Sequence, residues 1–194
     1  MTETAEARLI KALSLPAGPS SDFDLNVELR PSEGGLRPAA VLVAITGTSL
    51  LLTKRASHLK HHAGQIAFPG GKVDPEDVSV ERAALREARE EIGLPEESVH
   101  LLGQLPTHET VTGFTVTPIL AVVRRAFQPV PERGEVDEVF EVPLDHVLNP
   151  ANFAIERRLW KGEWRRYYVV PYGPYYIWGA TARILRGLAD RCER

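Results

Sequence analysis

The chain predicts an α/β/α sandwich with a central mixed sheet, on three observations. Apolar strand-like runs alternate with segments of helical period along most of its length. The runs at 39–45 and 49–53 are almost continuously apolar, as expected of a sheet covered on both faces. One central segment, near residues 80–92, is apolar on one side and carries Glu87, Glu90 and Glu91 on another.

With 194 residues, 43% hydrophobic and 25% charged, the chain is long enough for one domain with its own core, read here as 1–194. Residues 1–38 form a helix and an irregular connection; the core follows over 39–190. A net charge of -3 offers no global attraction for nucleic acid. Cys192 is the single cysteine and has no partner for an internal disulfide, which fits a reducing compartment. No apolar run reaches the roughly 18 residues of a spanning helix, and Met1-Thr2-Glu3 does not open a signal peptide. A cytoplasmic protein with no membrane association is expected.

Taken in order, residues 4–15 place Ala5, Leu9, Ala12 and Leu13 at helical spacing, predicting a short amphipathic helix packed on the domain. Residues 16–38, rich in Pro, Gly and Ser, read as an irregular connection with a short extended piece at 24–29. Two strands at 39–45 and 49–53 flank a turn at Thr46-Gly47-Thr48. Lys54, Arg55, His58, Lys60, His61 and His62 follow. They are either an ordinary polar loop or a cationic rim for phosphate groups leading into the next turn. A zinc reading of the histidines finds no cysteine or second ligand cluster to support it.

Phe68-Pro69-Gly70-Gly71 is a tight turn whose backbone can approach a ligand closely. In the helix after it, Val80, Ala83, Ala84, Ala88 and Ile92 face inward and Gly93 is a ready terminator. Glu87, Glu90 and Glu91 stand at i, i+3 and i+4, so like charges crowd one face. Helices of alternating Glu and Arg are usually solvated faces. Here the glycine turn on one side and the terminator on the other frame the acidic cluster, and such a set of oxygens suits magnesium or manganese rather than zinc.

Beyond it, 99–105 and 114–123 read as strands around a polar loop at 107–113. Residues 124–134 connect to an acidic segment around Glu135. A short helix at 144–148 is stopped by Asn149-Pro150. Residues 165–170 and 175–178 read as late strands around a turn at 171–174, and a final helix from about Ala180 buries Ile184, Leu185 and Leu188. Trp160, Trp164, Tyr167, Tyr168, Tyr175, Tyr176 and Trp178 either stack on a base or, at strand spacing, fill the core; core is the expectation for most.

The segment from Gly71 to Leu94 resembles the Nudix box: Gly, five residues, Glu, seven residues, then Arg-Glu-apolar-x-Glu-Glu-x-Gly-apolar. Arg86-Glu87-Ala88-Arg89-Glu90-Glu91-Ile92-Gly93-Leu94 fits its second half. The first half departs, with Asp77 in place of Glu and eight residues before Arg86. Leu51-Leu52-Thr53-Lys54-Arg55 and Leu59-Lys60-His61-His62-Ala63-Gly64-Gln65, running into Phe68-Pro69-Gly70-Gly71, are similar to the signature of the coenzyme A pyrophosphatase branch. In that branch the box also begins Gly-Gly-x-x-Asp-x-x-Asp, matching Asp74 and Asp77.

The resemblance implies a Nudix-type α/β/α sandwich that splits coenzyme A or its thioesters at the diphosphate, using magnesium or manganese. It implies metal ligands at Glu87, Glu90 and Glu91, with a backbone carbonyl near Gly71, and Arg86 orienting a carboxylate. The general base is Glu135 or Glu91, with Glu138 and Asp137 read as solvent-facing charges. Arg55, Lys60, His61, Gly70 and Gly71 are the substrate-binding candidates. Alternatives are a broader ADP-ribose or dinucleotide pyrophosphatase, or a nucleotide-binding module without turnover. A monomer or homodimer is expected.

Overall fold

The computed structural model describes residues 4–30, 35–160 and 162–193, so residues 31–34 of the irregular connection and the Met1-Thr2-Glu3 start lie outside the described residues. The sheet is organised on β2 (Arg37–Thr46), whose side chains alternate between two cores. Ala40, Leu42 and Ala44 face one core; Ala39, Val43 and Ile45 face the other. This explains the near-continuous apolar run, because both faces of the sheet are covered.

A turn with Gly47 at φ 58 leads into β3 (Ser49–Arg55), antiparallel to β2. On the other edge β2 pairs in parallel with β8 (Phe114–Val123), in register from Arg37↔Phe114 to Thr46↔Val123. All other pairings of β2 and β8 are antiparallel: β5 (Gly70–Lys72) on β2, and β6 (Val99–Gln104) and β7 (His108–Glu109) on β8. β4 (Ile66–Ala67) and β9 (Val136–Pro143) flank β3, and β1 (Ser20–Ser21) runs parallel to β7. The sheet is therefore mixed, as the sequence predicts.

Helices cover it on two sides. The apolar face of α2 (Val80–Ile92) packs on one core. α1 (Ala5–Ser14) and α4 (Gly179–Cys192) pack on the other, burying Leu9, Ala12, Ile184, Leu185 and Leu188. Thr4 caps α1, its hydroxyl accepting from the Ala7 N–H at 3.2 Å. The short α3 (Leu144–Val147) ends before Asn149-Pro150 as expected.

Three local expectations are corrected. Residues 24–29 are not extended: they turn into a 3-10 helix at Val27–Leu29. The Asn26 amide exchanges hydrogen bonds with the Arg166 backbone, at 2.8 Å to both its O and its N–H. Residues 175–178 form no strand, only the isolated bridges Val169↔Trp178 and Tyr172↔Tyr175, because Pro171, Gly173 and Pro174 break the ladder. The 107–113 loop contains β7, whose His108 is fully buried between Ser20 Oγ at 2.9 Å and Asp22 Oδ1 at 3.1 Å. Glu135 ends the turn just before strand β9, and a separate two-stranded ribbon joins β10 (Ala154–Trp160) to β11 (Glu163–Val169). Among the described residues, no helix is long and apolar enough to cross a membrane.

Candidate active site

Local sequence defines α2 at both ends. Ser79 Oγ accepts from the Arg82 N–H at 3.3 Å, and Gly93 closes the helix in the left-handed region at φ 69. Ala83, Ala84, Ala88 and Ile92 are fully buried, which leaves Glu87 and Glu90 on the accessible flank and Glu91 at the edge of the core, 5% exposed.

β5 lies alongside with two glycines, of which Gly70 admits no side chain without backbone movement. A Cβ on Gly71 would fall within 2.6 Å of the Glu87 carboxylate, so this carboxylate rests directly on the backbone. Gly70 has φ 149, and a Cβ there would meet Ala40 O at 2.4 Å and Val41 Cα at 2.6 Å. Its N–H donates to Glu91 Oε2 at 3.0 Å. Gly70→Ala is therefore expected to lower stability by about 2–3 kcal/mol. Urea denaturation reads this as an earlier midpoint at unchanged slope; a wild-type midpoint would rule out the clash.

Arg86 is the hub of the cluster. Its Nε and Nη2 donate to the two Asp77 oxygens at 3.0 and 2.9 Å, its Nη1 to Glu87 Oε1 at 3.0 Å and Glu90 Oε2 at 3.2 Å. Nη2 also reaches Lys72 O at 3.2 Å. The bidentate bond from Arg86 holds the Asp77 carboxyl below its usual range. Asp77 thus has a definite place, as the residue that fixes the guanidinium.

The remaining carboxylates are under electrostatic stress. Burial pushes the Glu91 carboxyl up to about 7 against the Gly70 N–H and Arg55, with the Glu87 and Glu135 charges adding to the rise. Burial also raises Glu87, opposed by Arg86 and reinforced by Glu90 and Glu135. Glu135, distant in sequence, is brought here because its backbone O accepts from the Ala56 N–H at 2.8 Å and the next residue pairs with Arg55. Asp137 and Glu138 are occupied elsewhere: Asp137 accepts from the Ser57 N–H at 2.9 Å, and Glu138 from the Tyr175 hydroxyl at 2.5 Å.

Among the described residues no three acidic, imidazole or thiol groups converge on one point. Glu87 and Glu90 each give one oxygen to Arg86, and Glu91 one to Gly70. The donor set still fits a hard divalent cation. It is all oxygen, it is rich in unrelieved negative charge, and Glu90, with its side chain 54% exposed, is free to turn.

A cleft of about 830 Å³, within the range of small-molecule sites, opens beside Lys54 and Ile66; none of Glu87, Glu90, Glu91 and Glu135 lines it. The loop after β3 contributes His62, Ala63, Gly64 and Gln65, and Lys54 precedes Arg55 on the same wall. His62 adopts φ 57 and its Nδ1 lies 2.6 Å from Gln65 Oε1. Lys60 and His61 are exposed and do not line this cleft. Arg55 lies between the cleft wall and Glu91, its Nε buried without a hydrogen-bond partner.

Of the seven aromatic residues expected mostly in the core, Tyr168 and Tyr175 pack against it, but five line this cleft. Trp160, Tyr167, Tyr175, Tyr176 and Trp178 line the cleft, and Trp164 and Tyr176 are 56% and 42% exposed. Their ribbon extends beyond the main sheet, so strand spacing did not imply burial. The legible signal is the pair of apolar-and-arginine runs on either side of Gly162.

The NUDIX domain family matches residues 36–161. The chain is 42% identical over 168 residues to the Nudix hydrolase NudL of Citrobacter koseri, covering 83% of this chain and 88% of that protein. With the NudL protein of an Enterobacter species it shares 44% identity over 159 residues, covering 79% and 81%. Among solved structures, a Nudix hydrolase from M. smegmatis is similar with a TM-score of 0.49 and 29% identity, over 59% of this chain and 75% of that one. Nudix hydrolases act on small-molecule nucleotide substrates and generally use divalent metal ions such as magnesium or manganese. On the match over residues 36–161 and these relatives, the chain belongs to the Nudix hydrolase family and is a pyrophosphatase.

Proposed function

We propose that the chain hydrolyses the diphosphate bond of coenzyme A or its thioesters, releasing phosphopantetheine (or its acyl form) and adenosine bisphosphate. The observation that carries this reading is the placement of the 51–71 segment, whose sequence resembles the coenzyme A branch. Its residues 62–66 line the cleft, and its end, Gly70-Gly71, touches Glu91 and Glu87. At about 830 Å³ the cleft has the volume of a small-molecule site.

In this reading Glu87, Glu90 and Glu91 hold the divalent cation, and Arg86, anchored by Asp77, orients Glu87 and Glu90. When bound, the cation neutralises charge on the diphosphate oxygens and lowers the pKa of the attacking water. Arg55 stabilises the negative charge that grows on the diphosphate. The water oxygen forms a bond to one phosphorus while the bridging P–O bond breaks, and the bridging oxygen leaves with the other phosphoryl group. Glu135 accepts the water proton: it is exposed and faces the cluster, whereas Glu91 is buried and tied to Gly70.

Glu135→Gln is expected to lower kcat by about 10²-fold or more with little change in magnesium affinity. Weakened magnesium binding at unchanged kcat would make Glu135 a ligand instead. The substrate is tested by magnesium- and manganese-dependent turnover of coenzyme A, ADP-ribose and diadenosine polyphosphates side by side. Coenzyme A is expected to give the highest kcat/KM. Preference for ADP-ribose or a dinucleotide would keep the site and replace the substrate.

A further inference from the structure

The β10–β11 ribbon carries an arrangement that its own stability does not explain. In its antiparallel register Arg158 stands directly opposite Arg165, and Arg157 opposite Arg166. Like charges facing each other across two strands are destabilising. Arg157 and Arg166 lie on the outer face, where Arg157 packs over Trp164 at 4.8 Å. Arg158 and Arg165 share the inner face with Trp160 and Tyr167, and all four line the cleft.

The ribbon's inner face also carries Glu156, which accepts from the Tyr176 hydroxyl, and Glu163, but neither lines the cleft, whose lining has a cationic excess. Lys54, Arg158 and Arg165 line the cleft against one carboxylate, Glu138, which is already bonded to the Tyr175 hydroxyl. Arg165 lies over the Trp160 ring at 4.3 Å, and its Nε is buried without a hydrogen-bond partner. Arg158 is exposed on the cleft side. Two guanidinium groups held apart on neighbouring strands, with aromatic faces on either side, suit a phosphate attached to a planar base. None of Glu87, Glu90, Glu91 and Glu135 lines this cleft, so a phosphate held by Arg158 and Arg165 is separate from the diphosphate that is cut.

We propose that Arg158 and Arg165 form a clamp for a ribose phosphate additional to the scissile diphosphate, with the base stacked among the cleft aromatics. The clamp selects substrates whose nucleoside carries that extra phosphate. It deepens the coenzyme A reading and rests on it for the identity of the substrate, since coenzyme A carries such a phosphate and dephospho-coenzyme A lacks it.

The test compares kcat/KM for coenzyme A and dephospho-coenzyme A in wild type and in the Arg158→Gln, Arg165→Gln double variant. Wild type should favour coenzyme A by about 10- to 100-fold. In the double variant the ratio should fall towards one, because kcat/KM drops much more for coenzyme A than for dephospho-coenzyme A. Because the substitutions remove a like-charge pair, the thermal midpoint should hold or rise. An unchanged ratio, or an equal loss on both substrates, overturns the clamp while leaving coenzyme A hydrolysis standing.

If neither coenzyme is cut and ADP-ribose is, the coenzyme A reading fails. The clamp is then judged by the same ratio for ADP-ribose with and without a ribose phosphate. Calorimetric binding of adenosine bisphosphate against adenosine monophosphate gives a readout independent of turnover. Equal affinity for the two in wild type would also overturn the clamp.

Discussion

Glu91→Gln is expected to lower kcat by about 10³-fold, through loss of a cation ligand, and, in metal-free buffer near pH 8, to make the protein more stable. Both effects follow from the charge that the substitution removes. The Glu91 carboxyl is 5% exposed and burial lifts it from 4.5 to about 7. A carboxyl whose folded pKa lies above its unfolded value contributes stability that is fully present below about pH 4.5 and lost as pH rises through about 7. At pH 8 the buried ion therefore opposes folding, by up to about 3 kcal/mol.

Glutamine keeps the shape and the bond from the Gly70 N–H but carries no charge. The metal-free wild type should thus lose thermal stability between pH 5 and pH 8 more steeply than the variant. Magnesium should stabilise the wild type more, since binding to the folded state alone adds stability by mass action. Parallel pH profiles for the two proteins, or wild-type turnover in the variant, would sink this account of Glu91.

The second large effect is expected from Arg86→Met. Methionine fills much of the space but leaves Asp77, Glu87 and Glu90 facing one another without a cation. Asp77 has its side chain only 7% exposed, and Arg86 23%. Breaking such a pair one-sidedly should cost about 2–4 kcal/mol, less than a fully buried pair because water still reaches the guanidinium. Magnesium affinity should weaken by about 10- to 100-fold, as it does when groups that orient ligands are lost. Asp77→Asn in the same background separates the roles: a coupling of about 1–3 kcal/mol between the two sites is expected from their contact. Additive losses would mean that Asp77 and Arg86 stabilise the fold independently.

How much of this was legible follows the range of the interactions involved. The helix at 80–92 is written locally: an N-cap serine, apolar residues at helical spacing and a glycine in the left-handed region. The grouping of Glu87, Glu90 and Glu91 on neighbouring positions is a property of helix geometry alone. Asp77 was harder to read, because its partner depends on how the loop after β5 folds back over α2. The aromatic residues misled for a related reason: a period of two identifies a strand but not whether anything covers it.

From the sequence alone came the alternation of strands and helices, the two-sided burial of β2 and β3, the acidic helix and the glycine turn that precedes it. All depend on contacts within a few residues, or on the average burial of a long apolar run. Tertiary structure decided what stands opposite what. It set Glu87 on the Gly71 backbone, brought Glu135 across from β9, turned residues 24–29 onto Arg166, and folded the arginine ribbon over the cleft. Those pairings join residues tens of positions apart, and their energy depends on burial and charge that exist only once the chain has closed.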